Sequence, residues 1–207
     1  MFKKFNLLLM LIFLSFSSFS SHAGEVFLKN EMIEKTNKLL EVVKVINDST
    51  DMSESEIYNL LDKELGKVFA FRRMAGRVMG RYARSATKNE RDLFVDNFKS
   101  KLFDTYVDNL RKSEGVTAVV KDARLLTNDE NRGVVSLSVS DSSKESFNVS
   151  YSVFKSEDQW MVENLIIEGV NMGLAFRDSF YQEMEKNRNN IKKSIKDWGV
   201  KSDLINN

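Results

Sequence analysis

From Lys29 to Ile46 the apolar residues Met32, Ile33, Leu39, Leu40, Val43 and Ile46 recur at spacings of three, four and seven, the period of a helix with one buried face. Asp48 to Asp51 interrupts it. Ser53 and Glu56 then stand three apart, the spacing at which a hydroxyl accepts from a first-turn amide while the carboxylate reaches back to the cap. This pair predicts a helix bearing Ile57, Leu60, Leu61 and Leu65 and ending at Gly66. Residues 67 to 82 are less regular, with Gly76 and Gly80 four apart. Such glycines predict a close approach to a neighbour, at a cost of about 1 kcal/mol each against alanine in a helix. Thr87 and Glu90 repeat the capping spacing before the longest helix, expected from Lys88 to Lys112. Phe94, Phe98, Leu102, Tyr106 and Leu110 make its apolar stripe, flanked by Val95, Phe103 and Val107, with Asp92, Asp96, Lys99, Asp104 and Asp108 on the solvated side.

At Gly115 the period changes to two. Val116 to Thr127 reads as a first strand, and Val135, Leu137 and Val139 alternate with Ser136, Ser138 and Ser140 as a second. Phe147, Val149, Tyr151 and Val153 alternate with Asn148, Ser150 and Ser152, and Trp160 to Ile167 makes a fourth. Short polar turns join them, so the prediction is a curved, four-stranded antiparallel meander with one apolar and one serine-rich face. Helical spacing returns after Gly169 through Met172, Phe176 and Phe180, then Ile191, Ile195 and Trp198. Helices, sheet, helices is an α+β plan in which helices cover the sheet's apolar face. No repeat or linker divides the chain, so one domain is expected from residue 24 to 207.

The first 23 residues follow a different logic. Lys3 and Lys4 precede the apolar run Leu7 to Phe16, which is too short for a bilayer crossing of roughly 20 residues. Ser21-His22-Ala23 closes the segment with a small-x-small cleavage pattern. Residues 1–23 are therefore expected to be a secretory signal, cut before Gly24, and no cysteine follows the apolar run to carry a lipid anchor.

The whole chain has 31 basic and 30 acidic residues, one histidine and no cysteine. Losing Lys3, Lys4 and His22 with the signal leaves 29 basic against 30 acidic residues and no histidine. Serine-histidine triads, cysteine nucleophiles, thiolate or imidazole zinc sites and disulfides are excluded by inventory. The balanced charge argues against nucleic acid as partner. Neither a calcium loop nor a phosphate-binding glycine loop stands out, so no metal, cofactor or catalytic residue is expected. An exported chain with this inventory points to binding rather than catalysis.

The pattern leaves open whether the apolar face is simply filled or is held off its helices around a ligand space. If a space exists, face and period place Phe69, Val78, Met79, Phe94, Phe98, Leu102 and Tyr106 from the helical half in its lining. Leu137, Val139, Val149, Tyr151, Val153 and Ile167 would line it from the sheet, and Met172 and Phe176 from the returning helix. Five arginines, Arg72, Arg73, Arg77, Arg81 and Arg84, fall within thirteen residues. They suit a phosphate, an acidic partner or plain solvent.

Glu64-Leu65, Gly80-Arg81-Tyr82, Ala86-Thr87, Glu90-Arg91, Phe94 and Phe98 form one ordered motif, and Trp160 to Met172 (WMVENLIIEGVNM) a second. Together they resemble the MlaC (toluene-tolerance) family of periplasmic phospholipid-binding proteins. One departure is Lys88, where the family often has proline. That bears only on the helix start, where proline is convenient and not required. The resemblance implies a nuclear-transport-factor-like fold enclosing acyl chains. It also implies a carrier that shuttles phospholipid between outer and inner membranes in support of outer-membrane lipid asymmetry. As the substrate-binding component it would serve an inner-membrane MCE-domain ABC transporter and meet an outer-membrane lipoprotein-porin complex, and it is expected to be a monomer. By the same resemblance Val170 should line the cavity, and Gly80 and Tyr82 should shape its wall.

Two acyl chains of roughly 30 methylenes in all cost some 24 kcal/mol to expose to water, at about 0.8 kcal/mol each. A dry cavity removes that cost. With no buried charge cluster legible in the sequence, headgroup selection is expected to be loose. A chaperone or adaptor holding apolar peptide, and a cone-fold isomerase or dehydratase with a carboxylate and tyrosine in its cavity, are compatible with the same pattern.

Overall fold

Capping chemistry sets where the helices of the amino-terminal half begin. Ser53 Oγ accepts from the Glu56 amide at 3.3 Å while the Glu56 carboxylate accepts from the Ser53 amide at 2.8 Å. This opens α2 (Glu54–Leu65). Thr87 and Glu90 make the same reciprocal pair at 3.2 and 2.8 Å ahead of α4 (Lys88–Arg111), so the cap does the work that a proline would otherwise do at its start. The computed structural model describes residues 17–49, 51–111, 115–140 and 145–199, of which residues 17–22, 105, 106 and 108–111 are described by backbone alone.

The first helix, α1 (Ser17–Asp48), is longer than its apolar pattern. It runs without a break through the expected cleavage point, and most of the expected signal lies outside the described residues. The helix touches the sheet from Glu25 onward, whose carboxylate accepts from the Leu125 amide at 3.2 Å. Ile33, expected on its buried face, is 36% exposed. The buried line runs through Leu28, Met32, Thr36, Val42 and Ile46 instead.

The stretch from 67 to 82 resolves into three pieces. Residues 68 to 70 run beside the sheet, where the Ala70 amide donates to the Val162 carbonyl and the Val162 amide to that of Val68. Then come α3 (Phe71–Met79) and a 3-10 turn (Gly80–Arg84). Gly80 takes a φ of +54°, and a Cβ there would collide with the Tyr181 hydroxyl, so the expected close approach is real at this glycine. At Gly76 it is absent, since nothing lies within 4 Å of where a Cβ would stand.

The strands β1 (Thr117–Leu126), β2 (Asp129–Ser140), β3 (Ser146–Ser156) and β4 (Gln159–Ile167) form the expected meander. A fifth strand, β5 (Val170–Asn171), corrects the count: the chain reverses through Glu168 and Gly169, both at positive φ, and pairs back on β4. The sheet stays open, with β1 and β5 at its edges. Asn171 caps α5 (Met172–Lys186), and α6 (Ile191–Trp198) completes the helical layer.

Buried apolar residues fall into two clusters. One joins Leu28, Met32 and Val68 to the sheet residues Val120, Val135, Leu137, Val149, Tyr151, Val153, Trp160 and Val162. The other gathers the helices around Phe94, Phe98, Phe180, Met184 and Trp198. Helix α1 spans both, contributing Leu28 and Met32 to the first and Val42 and Ile46 to the second. Phe147, expected under this cover, is 40% exposed at the end of the β2–β3 hairpin.

Candidate functional site

Where the two clusters meet, side chains do not fill the space. A cavity of about 310 Å³ lies between them, inside the range usual for small-molecule sites. Leu39, Val42 and Val43 of α1, Leu61 and Leu65 of α2, and Met74 and Val78 of α3 form part of its wall. Phe98, Leu102 and Phe103 of α4, Leu165 and Ile167 of β4, and Met172 and Phe176 of α5 complete most of the rest. Phe69 belongs to two walls, because it also borders an open surface groove of about 810 Å³ that carries Arg72, Arg73, Lys99, Asp62, Asp92 and Asp96.

The polar side chains in the cavity lining are Arg77, Glu163 and Asn164. Their placement follows from one irregularity of β4. Ser152 pairs with Asn164 and Val153 with Val162, so Glu163 is the extra residue of a bulge. A bulge re-aims side chains: Val162 packs in the sheet cluster while its neighbour Glu163, also buried, turns to the cavity. The shift in parity then delivers Leu165 and Ile167 to the lining.

Three guanidiniums converge on the Glu163 carboxylate. Arg73 Nε lies 2.5 Å from Oε2, and Arg77 Nη2 and Arg132 Nη2 lie 2.8 and 2.5 Å from Oε1. The carboxylate is wholly buried, whereas the arginine side chains remain 45%, 43% and 38% exposed. Burial by itself would raise the Glu163 pKa, but hydrogen bonds and charge from Arg132, Arg77 and Arg73 outweigh it and hold the group below the ordinary carboxylate range. The Arg73 guanidinium stacks 4.1 Å over the Phe154 ring. This buried charge cluster was not legible in the sequence, and its presence removes the ground on which loose headgroup selection was expected. Of the other helix arginines, Arg72 pairs with Asp92 at 2.7 Å and Arg81 donates to the Tyr82 hydroxyl at 2.8 Å.

Seven of the expected lining residues meet at the cavity: Phe69, Val78, Phe98, Leu102, Ile167, Met172 and Phe176. Leu137, Val149, Tyr151 and Val153 instead pack under the front half of α1, with Val139 at the margin of that cluster. Burial there pushes the Tyr151 hydroxyl up to about 12. Met79 is in the helical core. So is Phe94, stacked 4.9 Å from Trp198 and edge-on to Phe180. Gly80 and Tyr82 abut Tyr181, with the Tyr82 hydroxyl donating to Asn189 at 2.9 Å, and shape the join of helices rather than the cavity. Val170 pairs with the lining residue Ile167 but stands 57% exposed on the edge strand, outside the cavity. The Tyr106 and Leu110 side chains, expected on the apolar stripe of α4, lie outside the described residues.

Sequence reasoning missed Leu39, Val42, Val43, Leu61, Leu65, Met74, Phe103 and Leu165 as lining, along with Arg77, Glu163, Asn164 and Gly173. One signal was available: Trp160 and Val162 fall on even positions but Leu165 and Ile167 on odd ones, the mark of a bulge between them.

A model of the family described as "MlaC protein" matches residues 34–199, most of the chain. The chain belongs to the MlaC family. The toluene tolerance protein ttg2D of Pseudomonas putida is 28% identical over 164 residues, covering 79% of this chain and 75% of that one. A solved structure of a phospholipid-binding protein from Ralstonia solanacearum, in complex with a phospholipid, superposes with a TM-score of 0.72 at 22% identity. It covers 82% of this chain and 93% of the other, so the two share a fold. Among the described residues no helix is long and apolar enough to cross a membrane.

Proposed function

We propose that this MlaC-family chain is a periplasmic phospholipid carrier, not an enzyme, exported by cleavage after Ala23. The observation that carries the reading is the apolar cavity between sheet and helices, closed at one part of its wall by charged groups. A methylene takes about as much room as a water molecule, roughly 30 Å³, so about 310 Å³ seats on the order of ten of them. At about 0.8 kcal/mol per methylene, that much chain gains some 8 kcal/mol relative to water. Holding two full chains then requires the helical layer to lift further from the sheet, in a nuclear-transport-factor-like arrangement.

Near-zero net transfer from bilayer hydrocarbon to side-chain hydrocarbon suits a shuttle, because binding that was too tight would prevent release. Direction has to come from partners, which the family membership suggests are an inner-membrane MCE-domain ABC transporter and an outer-membrane lipoprotein-porin complex. The structure with bound phospholipid from Ralstonia solanacearum supports the ligand class. Native mass spectrometry of the processed protein purified from its own periplasm is the test. The expected result is an adduct with the mass of a phospholipid that extracts into organic solvent. Bare protein that instead captures unfolded polypeptide would overturn the carrier reading in favour of a chaperone.

A further inference from the structure

Resting on the carrier reading, we propose that the guanidinium cluster of Arg73, Arg77 and Arg132 is the seat of the lipid's phosphate, with Glu163 acting as the internal anion that aims the arginines.

Position comes first. An amphiphile with its tails in an apolar space must leave its polar group where the lining is polar and water is within reach. Among the described residues the polar side chains of the lining are Arg77, Glu163 and Asn164. Of these, Arg77 reaches from the cavity wall to solvent, since its side chain is 43% exposed while it holds the wholly buried Glu163 carboxylate. Asn164 is engaged with the start of α5, its Oδ1 accepting from the Gly173 amide at 3.2 Å.

Charge points the same way. Three guanidiniums face one carboxylate, leaving a formal excess of two positive charges at the edge of the cavity. One phosphodiester would offset half of it. A guanidinium is also the side chain whose planar fork matches a phosphate through paired hydrogen bonds.

The donor inventory is unspent. Each guanidinium has five N–H groups, and the bonds to Glu163 use one nitrogen from each arginine. Arg132 Nε is buried with no acceptor among the described residues, an arrangement that is unfavourable unless something arrives to accept. Glu163 accounts for the geometry: the bulge buries its carboxylate beneath the three arginines and draws their heads together, while each side chain stays 38–45% exposed. The site is thus organised before the lipid enters, which lowers the cost of binding.

The test uses the full processed chain and vesicles of phosphatidylglycerol, set against vesicles doped with diacylglycerol of the same acyl chains, which lacks the phosphate. Lipid retained after re-isolation is the readout. Wild type is expected to take up the phospholipid in preference. Arg77→Gln should lower phospholipid uptake by about tenfold or more, the scale of one lost charge-assisted hydrogen bond, and lower diacylglycerol uptake far less. Arg73→Gln provides a second variant at a half-exposed site should the first melt early. Equal losses for both lipids, or no loss for either, would overturn the assignment, as would a wild type that takes up both lipids alike. If wild type takes up neither lipid, the carrier reading itself fails. Inorganic phosphate alone serves as the third probe: if millimolar phosphate raises the melting temperature of wild type but not of Arg77→Gln while the two take up phospholipid equally, the site belongs to free phosphate and the lipid assignment falls.

Discussion

Glu163 shows how one buried group can be tolerated only through its neighbours. A lone carboxylate in an apolar wall would neutralise itself by binding a proton. Three arginines keep it charged, with its pKa below the usual 4.5. The sign of the pH dependence follows. A folded-state value below the unfolded one means that the folded protein binds this proton less readily, so the stabilisation is complete above about pH 4.5 and is lost as pH falls through the lower folded value. Denaturant midpoints measured from neutral pH downward are expected to fall more steeply below pH 4.5 for wild type than for Glu163→Gln. Parallel curves would mean that the carboxylate is not held in this way. Residue by residue, the sequence displayed the arginines of α3 but not their target. Arg132 lies some thirty residues before Glu163 and about sixty after Arg73, and no spacing rule links side chains brought together from a helix and two strands.

At the scale of elements, local chemistry proved a good guide to where helices start and a poor guide to what their faces touch. Both capping boxes form as their spacing predicts, because the partners are three residues apart and need no tertiary contact. The glycines of α3 needed the fold to tell them apart. Gly76 sits within the helix with open space around it, whereas Gly80 ends the helix at positive φ against Tyr181. Gly76→Ala should therefore stabilise the chain by about 0.5–1 kcal/mol. Gly80→Ala should destabilise it by roughly 1–3 kcal/mol, through strained backbone and the displaced tyrosine. Thermal melting of the pair checks this, and shifts of the same sign would contradict the distinction. The β4 bulge is likewise an element-scale device: one added residue lets the same strand feed Val162 to the sheet core and Glu163 to the cavity.

For the molecule as a whole, the central feature is that two hydrophobic clusters share a helix and a border without merging. Buried position alone does not mark the cavity. Phe94 and Val78 are both almost fully buried, yet Phe94 is packed on Trp198 and Phe180 while Val78 faces the unfilled space. Substitutions at the two should separate stability from loading. Val78→Phe grows into the space and is expected to hold or raise the melting temperature while cutting phospholipid uptake. Phe94→Ala should cost about 3–5 kcal/mol yet leave the folded fraction able to load. Uptake per folded molecule and melting temperature, measured together, check the pair. Reversed outcomes would place the functional space elsewhere.

The α+β order, the four long strands, the capped helix starts and the apolar stripe of α4 could all be read from the sequence, because each depends on spacing within a single element. So could the absence of histidine and cysteine chemistry from residue 24 onward, which is a matter of inventory. The short edge strand, the division of α1 between two clusters, the separation of sheet-core residues such as Leu137 and Val153 from cavity residues such as Ile167, and the meeting of three arginines at one carboxylate were decided only by tertiary structure. Periodicity reports which side of an element avoids water. Whether the facing elements then close on that side or stop short of it depends on the distance between layers, which no single element encodes.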